Sequence, residues 1–271
     1  LDVSGSMATA DGVGGQTRLQ SAIASVKTLL DRYDEFGDVR VSLVKFAGDT
    51  ETAQMGTSWL TVAQAKSYLD TLAAGGGTNY DSALNTTMNA FNTAGKLSNA
   101  QNVAYFFTAG VPTFGSGDAT TLSGTQNGNG GSPDGVDSGI QVNEETTWKN
   151  FLNSNQIKSF SIGMGAGITD ASYLHPIAYD GQSMVNTDGV RVSSFDQLDT
   201  VLAGTVQAPI GGNLVNGGLL SGADAGAYIA SVLVEGRTYL FSGAAQTNGV
   251  FDAATKTWTI TTTIGGKFVV D

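Results

Sequence analysis

The run Val103-Ala104-Tyr105-Phe106-Phe107 most constrains what this chain can fold into. It is almost wholly apolar and shows no alternation, so both of its faces need cover. That is the pattern of a strand inside a parallel sheet with helices packed on either side. The flanking sequence supplies such helices. Thr17 to Asp34 places Leu19, Ile23, Val26, Leu30 and Tyr33 on one helical face. Thr61 to Leu72 follows, with Thr61 as a cap and Val62, Ala65, Leu69 and Leu72 turned inward. Tyr80 to Asn92, Glu144 to Asn155 (with Trp148, Phe151 and Leu152 inward) and Ser194 to Val206 complete the helical set. Between them, Val39 to Phe46, Glu51 to Gly56, Ile157 to Ile162 and Ser183 to Asn186 read as strands. Strand and helix alternate from Leu1 to about Val206. The expected class is α/β, a doubly wound (Rossmann-like), mainly parallel sheet flanked by helices.

The pattern changes at Ala208-Pro209-Ile210-Gly211-Gly212. Beyond it no helical period is left. Tyr228 to Val234, Thr238 to Ser242, Trp258 to Thr263 and Lys267 to Val270 read as short strands. Glu235-Gly236, Asn248-Gly249 and Gly265-Gly266 read as the turns between them. Residues 1–207 are thus expected to form the α/β domain and 208–271 a small all-β region. Four short strands make a thin domain alone. The expectation is a β-sandwich completed by strands upstream of Leu1, with the α/β part inserted into it. The first strand pattern begins on Leu1 itself, so the sequence reads as a piece of something longer.

Sheets of this class place their sites at the carboxyl ends of strands, where the strand order reverses. At the first such end stand Asp2, Ser4 and Ser6, spaced as Asp-x-Ser-x-Ser around Gly5, whose freedom is expected to let the backbone turn tightly. Thr78 follows in Gly75-Gly76-Gly77-Thr78-Asn79, and Thr108-Ala109-Gly110 closes the apolar strand. One carboxylate and several hydroxyls suit hard cations such as Mg²⁺, Mn²⁺ or Ca²⁺, not zinc or copper. With no cysteine and one histidine in the chain, thiolate sites and disulfides are excluded.

These residues resemble the metal-ion-dependent adhesion site of von Willebrand factor type A domains: Asp-x-Ser-x-Ser, then a distant Thr, then a distant Asp. The Thr loop matches closely. Phe106-Phe107-Thr108-Ala109-Gly110-Val111-Pro112-Thr113 matches the last loop, except that Ala109 stands where the family has Asp. The resemblance implies a divalent cation, Mg²⁺ or Ca²⁺, held by Asp2, Ser4, Ser6 and Thr78. It implies a protein partner whose carboxylate completes the coordination shell. Three explanations of Ala109 stay open: a natural departure, an engineered loss, or a carboxylate supplied from elsewhere. A methyl cannot coordinate; two of the three lower the cation affinity, and the lost acid would leave the ion more electrophilic toward an outside carboxylate. The segments Gly222 to Ile229 and Val234 to Tyr239 are similar to C-terminal parts of long bacterial repeats-in-toxin (RTX) adhesins. That similarity implies an extracellular, cell-surface setting, with neighbouring domains of the same adhesin as further partners. The alternative is a structural spacer with a metal-free or impaired site.

Other chemistries find little support. The formal net charge of −11 makes nucleic acid and anionic membrane surfaces poor partners. No apolar run approaches the roughly 18–20 residues that span a bilayer. His175 is the sole histidine a Ser-His-Asp triad could use, and no Gly-x-Ser-x-Gly elbow accompanies it. Gly75-Gly76-Gly77-Thr78 lacks the Gly-Lys-Ser/Thr end of a phosphate loop. The Asn127 to Asp137 stretch carries Asp134 and Asp137 among glycines without the spacing of a calcium loop. The expectation is a binding module and not an enzyme.

Overall fold

Residues 1–3 form the middle rung of the sheet, hydrogen-bonded on both sides. Val3 N donates to Phe46 O at 2.8 Å, and Phe46 N donates to Leu1 O at 3.0 Å. On the other side Asp2 N donates to Phe107 O at 2.9 Å. The computed structural model describes residues 1–48, 50–98, 100–115, 122, 139–206, 231–241, 248–263 and 265–270. It divides into two compact units. One comprises Leu1–Asp31 with Arg40–Thr205, the other Arg32–Val39 with Val206–Asp271.

The elements of the first unit follow the expected alternation: α1 (Arg18–Asp34, its last turn in the second unit), β1 (Val44–Lys45), β2 (Ala53–Gln54), α2 (Val62–Leu69), α3 (Tyr80–Phe91), β3 (Val103–Thr108), α4 (Val142–Asn155), β4 (Lys158–Met164), β5 (Tyr179–Asp180), β6 (Val185–Asn186), β7 (Val190–Val192) and α5 (Leu198–Thr205). β2 lies antiparallel on β1. Residues 44–46 flank residues 1–3, which in turn flank β3. β3 pairs in parallel with β4 from Val103↔Lys158 to Thr108↔Gly163. Along its far edge β4 takes β5 antiparallel at one end and β7 parallel at the other. The sheet is therefore mixed: β3, β4 and β7 run parallel, while β2 and β5 lie antiparallel to their neighbours.

The apolar run of β3 behaves as its composition requires. Phe106 stacks on Phe46 and meets Tyr80 of α3 edge-on, each at 4.8 Å between ring centroids. On the opposite face Tyr105 stacks on Phe160, and its hydroxyl bonds Thr205 Oγ1 in α5 at 2.8 Å. Helices thus reach both faces of this strand. Thr61 caps α2 in a capping box with Gln64, and the Asn79 side chain caps α3 by accepting from Ser82 N at 2.9 Å. Trp148 and Leu152 of α4 are buried, and Trp148 Nε1 donates to Ile177 O.

Several sequence expectations need correction. Regular pairing in the second strand is confined to Val44–Lys45, with bridges at Val41 and Phe46. β5 and β7 were not expected. They have only 2 and 3 residues, too few for any period to register. Gly5 keeps a negative-φ conformation, so its turn needs no left-handed backbone; its N–H instead docks on Gly76 O at 3.0 Å.

The second unit is antiparallel β throughout its described strands. β8 (Ser231–Val234) and β9 (Arg237–Leu240) form a hairpin whose turn residues Glu235 and Gly236 both have positive φ, 49° and 77°. β10 (Gly249–Asp252), β11 (Thr257–Thr261) and β12 (Lys267–Val270) form a meander. β10 is one strand more than the sequence pattern indicated: alternation across Gly-Val-Phe-Asp is too brief to separate from the adjoining turn. Tyr239, Trp258 and Ile260 make a small core between hairpin and meander. Residues 116–121 and 123–138, the Asn127 to Asp137 stretch among them, and the segment Gly222 to Ile229 lie outside the described residues.

Candidate functional site at the end of the central strand

The strand formed by residues 1–3 ends on a chain of short oxygen contacts. Asp2 is fully buried, Ser4 and Thr78 are nearly so, and Ser6 is half-buried. Asp2 Oδ1 accepts from Ser4 N at 2.7 Å, which folds residues 2–4 into a tight turn. The turn brings Ser4 Oγ to 3.1 Å from Ser6 Oγ. The Thr78 loop is held against the same turn, because Gly75 N donates to Val3 O at 2.7 Å and Gly5 N to Gly76 O.

Gly110 lets the third loop approach. A Cβ placed there would lie 3.0 Å from Ser6 Oγ and 3.7 Å from Thr78 Oγ1. The two hydroxyls thus border one spot. Asp2, Ser4, Ser6 and Thr78, the four residues picked from the sequence, are brought together by the fold. Their segments meet where strand order reverses, between residues 44–46 on one side of residues 1–3 and β3 on the other.

The residues that hold the third loop were not evident from the sequence. Thr108 Oγ1 donates to Asp2 Oδ2 at 2.8 Å, and Ala109 N donates to the same oxygen at 3.2 Å. Tyr80 OH donates to Gly110 O at 2.8 Å. Arg18 Nη1 donates to Ala109 O at 3.2 Å. Thr108 stood within the quoted motif, but Arg18 and Tyr80 carry no local signal, being one helix position among many.

Burial pushes the Asp2 carboxyl up from its ordinary value, against the opposing pull of donors from Ser4, Thr108 and Ala109. Burial likewise pushes the Tyr80 phenol up, so it stays a donor. Ala109 is fully buried and adds no charge. Asp11, in the loop before α1, is no substitute carboxylate. Both of its oxygens are taken by Arg18, at 2.7 Å each. Among the described residues no group of three His, Cys, Asp or Glu side chains is placed to hold a metal ion. Asp2, Ser4, Ser6 and Thr78 themselves would offer a cation three hydroxyls and one carboxylate. The donors fit that use: two oxygens bound at right angles to one Mg²⁺ or Ca²⁺ lie about 3 Å apart, near the Ser4–Ser6 separation.

His175 is half-exposed, and its Nδ1 accepts from Gly189 N at 3.1 Å. That bond ties the turn at His175 to the segment leading into β7.

Residues 1–111 match the model of the von Willebrand factor type A domain. No curated protein sequence matches the chain. Among solved structures, the PilB minor pilin of Streptococcus sanguinis is similar with TM-score 0.54 and 15% identity, over 75% of this chain and 58% of that one. The pilus adhesin SpaC of Lactobacillus rhamnosus GG is similar with TM-score 0.52 and 17% identity, over 75% and 29%. A von Willebrand factor type A protein from Catenulispora acidiphila gives TM-score 0.48 and 18% identity, over 74% and 39%. The chain thus spans less than two thirds of the length of each. The α/β unit has a von Willebrand factor type A-like fold, and the described β-strands after it form an antiparallel all-β region. Among the described residues no helix is long and apolar enough to cross a membrane.

Proposed function

We propose that this chain is a divalent-cation-dependent protein-binding module of an extracellular bacterial adhesin, and not an enzyme. The convergence of Asp2, Ser4, Ser6 and Thr78 on one sheet end carries the reading. Ser4, Ser6 and Thr78 would give neutral oxygens to Mg²⁺ or Ca²⁺, with Asp2 as the one anionic group. A divalent ion so held keeps about one net positive charge, which an acidic side chain of a partner would neutralise. The ion supplies Lewis acidity toward that carboxylate; the protein orients the hydroxyls and keeps Asp2 out of bulk water. The pilin and pilus-adhesin descriptions of two structures of similar fold support a surface role. An RTX adhesin as parent, with its neighbouring domains as further partners, and insertion of the α/β unit into a β-sandwich belong to the same proposal.

A second reading, a structural spacer, is favoured by one observation: both Asp2 oxygens already accept donors from the protein, and Ala109 adds no charge. Melting in EDTA, then in Ca²⁺ or Mg²⁺, separates the two readings. The adhesion reading expects the cation to raise the melting temperature of this chain and not that of Asp2→Ala. Equal responses would support the spacer.

A further inference from the structure

Arg18 has no part in the ligand set, yet its guanidinium is almost wholly buried beside that set. Its side chain is 9% exposed, while its partner Asp11 is 42% exposed. Nε and Nη2 donate to the two Asp11 oxygens, each at 2.7 Å, the fork-to-fork geometry that fixes a guanidinium plane. The remaining donor, Nη1, reaches Ala109 O, 91 residues away in sequence. The backbone of Gly167 walls in the contact. A Cβ there would stand 2.1 Å from Ala109 O and 2.9 Å from Arg18 Nη1. The residue whose carbonyl Arg18 holds sends its own N–H to Asp2 Oδ2 at 3.2 Å. One connected path therefore runs from exposed Asp11, through Arg18 and the backbone of Ala109, to the carboxylate of Asp2.

We propose that Arg18, clamped by Asp11, is a positioning residue of the cation site: it fixes the backbone at Ala109 so that its N–H orients the Asp2 carboxylate toward the Ser4, Ser6 and Thr78 hydroxyls. The inference rests on the cation reading given above. It matters here because the third loop has no acidic side chain to be ordered by an ion. Its conformation must be set by the protein: Arg18 donates to the Ala109 carbonyl, and Tyr80 and Thr108 donate to that of Gly110.

Electrostatics and positioning predict opposite signs. A guanidinium near a cation site repels the cation, so its removal should tighten binding on Coulomb grounds alone. If it positions the site, its removal should loosen binding. Groups that orient metal ligands without touching the metal typically contribute about 10-fold or more in affinity. The test is a Tb³⁺ titration of the 271-residue chain, read by aromatic-sensitised luminescence, for the unsubstituted protein, Arg18→Met, Arg18→Lys, Asp11→Asn and Asp2→Ala. Amide hydrogen exchange at Ala109 and Gly110 is measured alongside without cation. The expected result is about 10-fold weaker Tb³⁺ binding for Arg18→Met, with faster exchange at both amides. Asp11→Asn should weaken binding in the same direction. Arg18→Lys, which keeps the charge and loses the fork, should fall between Arg18→Met and the unsubstituted chain. Equal or tighter Tb³⁺ binding by Arg18→Met, with exchange unchanged, overturns the inference alone. No Tb³⁺ binding by the unsubstituted chain overturns the cation reading, and the inference with it.

Discussion

Thr108 Oγ1 sits 2.8 Å from Asp2 Oδ2, a contact between residues 106 apart in sequence. It ties the end of β3 to the end of the central strand and supplies a side-chain hydroxyl donor to a fully buried carboxylate. Thr108→Val keeps the shape and removes the proton. Asp2 Oδ2 would then keep the longer bond from Ala109 N. The expected cost is about 1–3 kcal/mol of stability, the usual penalty for an under-satisfied buried acceptor. Urea denaturation of the cation-free chain measures it. Thr108→Ser, which keeps the hydroxyl, should recover most of the loss.

Ala109→Asp tests the departure from the family motif. A carboxylate at this position would add a second charge to a site with one. The expected outcome is tighter Ca²⁺ or Mg²⁺ binding by about 1–3 kcal/mol, as for a charged contact. Isothermal calorimetry reads it. The cation-free variant should melt lower than the parent, because two buried carboxylates would then repel each other. Unchanged affinity would show that the side chain at 109 does not face the ion.

The pH response of Asp2 has a definite sign. Its carboxyl is raised above 3.8 in the folded state by burial. Between 3.8 and that raised value the native state holds a proton that the unfolded chain has already released. Stability from this group is present below 3.8 and falls as pH rises through the raised native value. A bound cation relieves the buried charge. The gap in melting temperature between Ca²⁺-loaded and EDTA-treated protein should widen as pH rises over that window. In Asp2→Ala the gap should be absent at every pH. A gap that narrows toward neutral pH would contradict the assignment of Asp2 as the titrating group.

The α/β class and the clustering of Asp2, Ser4 and Ser6 were legible for a common reason, whereas Thr78 entered through the resemblance of its glycine loop. Both rest on short-range pattern: the unbroken apolar run of β3, the helical period of α1 and α4, and the two-residue spacing of Asp2, Ser4 and Ser6. What the sequence did not show depends on distance along the chain. Arg18 reaches Ala109 across 91 residues, and Tyr80 reaches Gly110 across 30. Neither residue type departs from what a helix start accepts. β5, β7 and β10 have only 2 to 4 residues and were not read as strands; pairing with their neighbours makes them so. Gly5 illustrates the converse. Its place between Ser4 and Ser6 pointed to a tight turn, but the structure uses its N–H to dock the Thr78 loop.

Two glycines offer a last contrast. At Gly167 an added methyl would meet Ala109 O at 2.1 Å and Arg18 Nη1 at 2.9 Å, closer than any real contact allows. Gly167→Ala must therefore move the carbonyl or the loop, at about 1–3 kcal/mol, as for overpacking elsewhere in protein interiors. The displaced carbonyl would lose its bond from Arg18, so cation binding should weaken together with stability. At Gly204, exposed in α5, an added methyl meets nothing within 4 Å. Gly204→Ala should stabilise the chain by about 0.5–1 kcal/mol through the smaller entropy of the unfolded state, and should leave cation affinity alone. Thermal melts and Tb³⁺ titration of the two variants side by side check this. If Gly167→Ala lowers the melting temperature without changing Tb³⁺ affinity, the backbone at Ala109 does not govern the ligands.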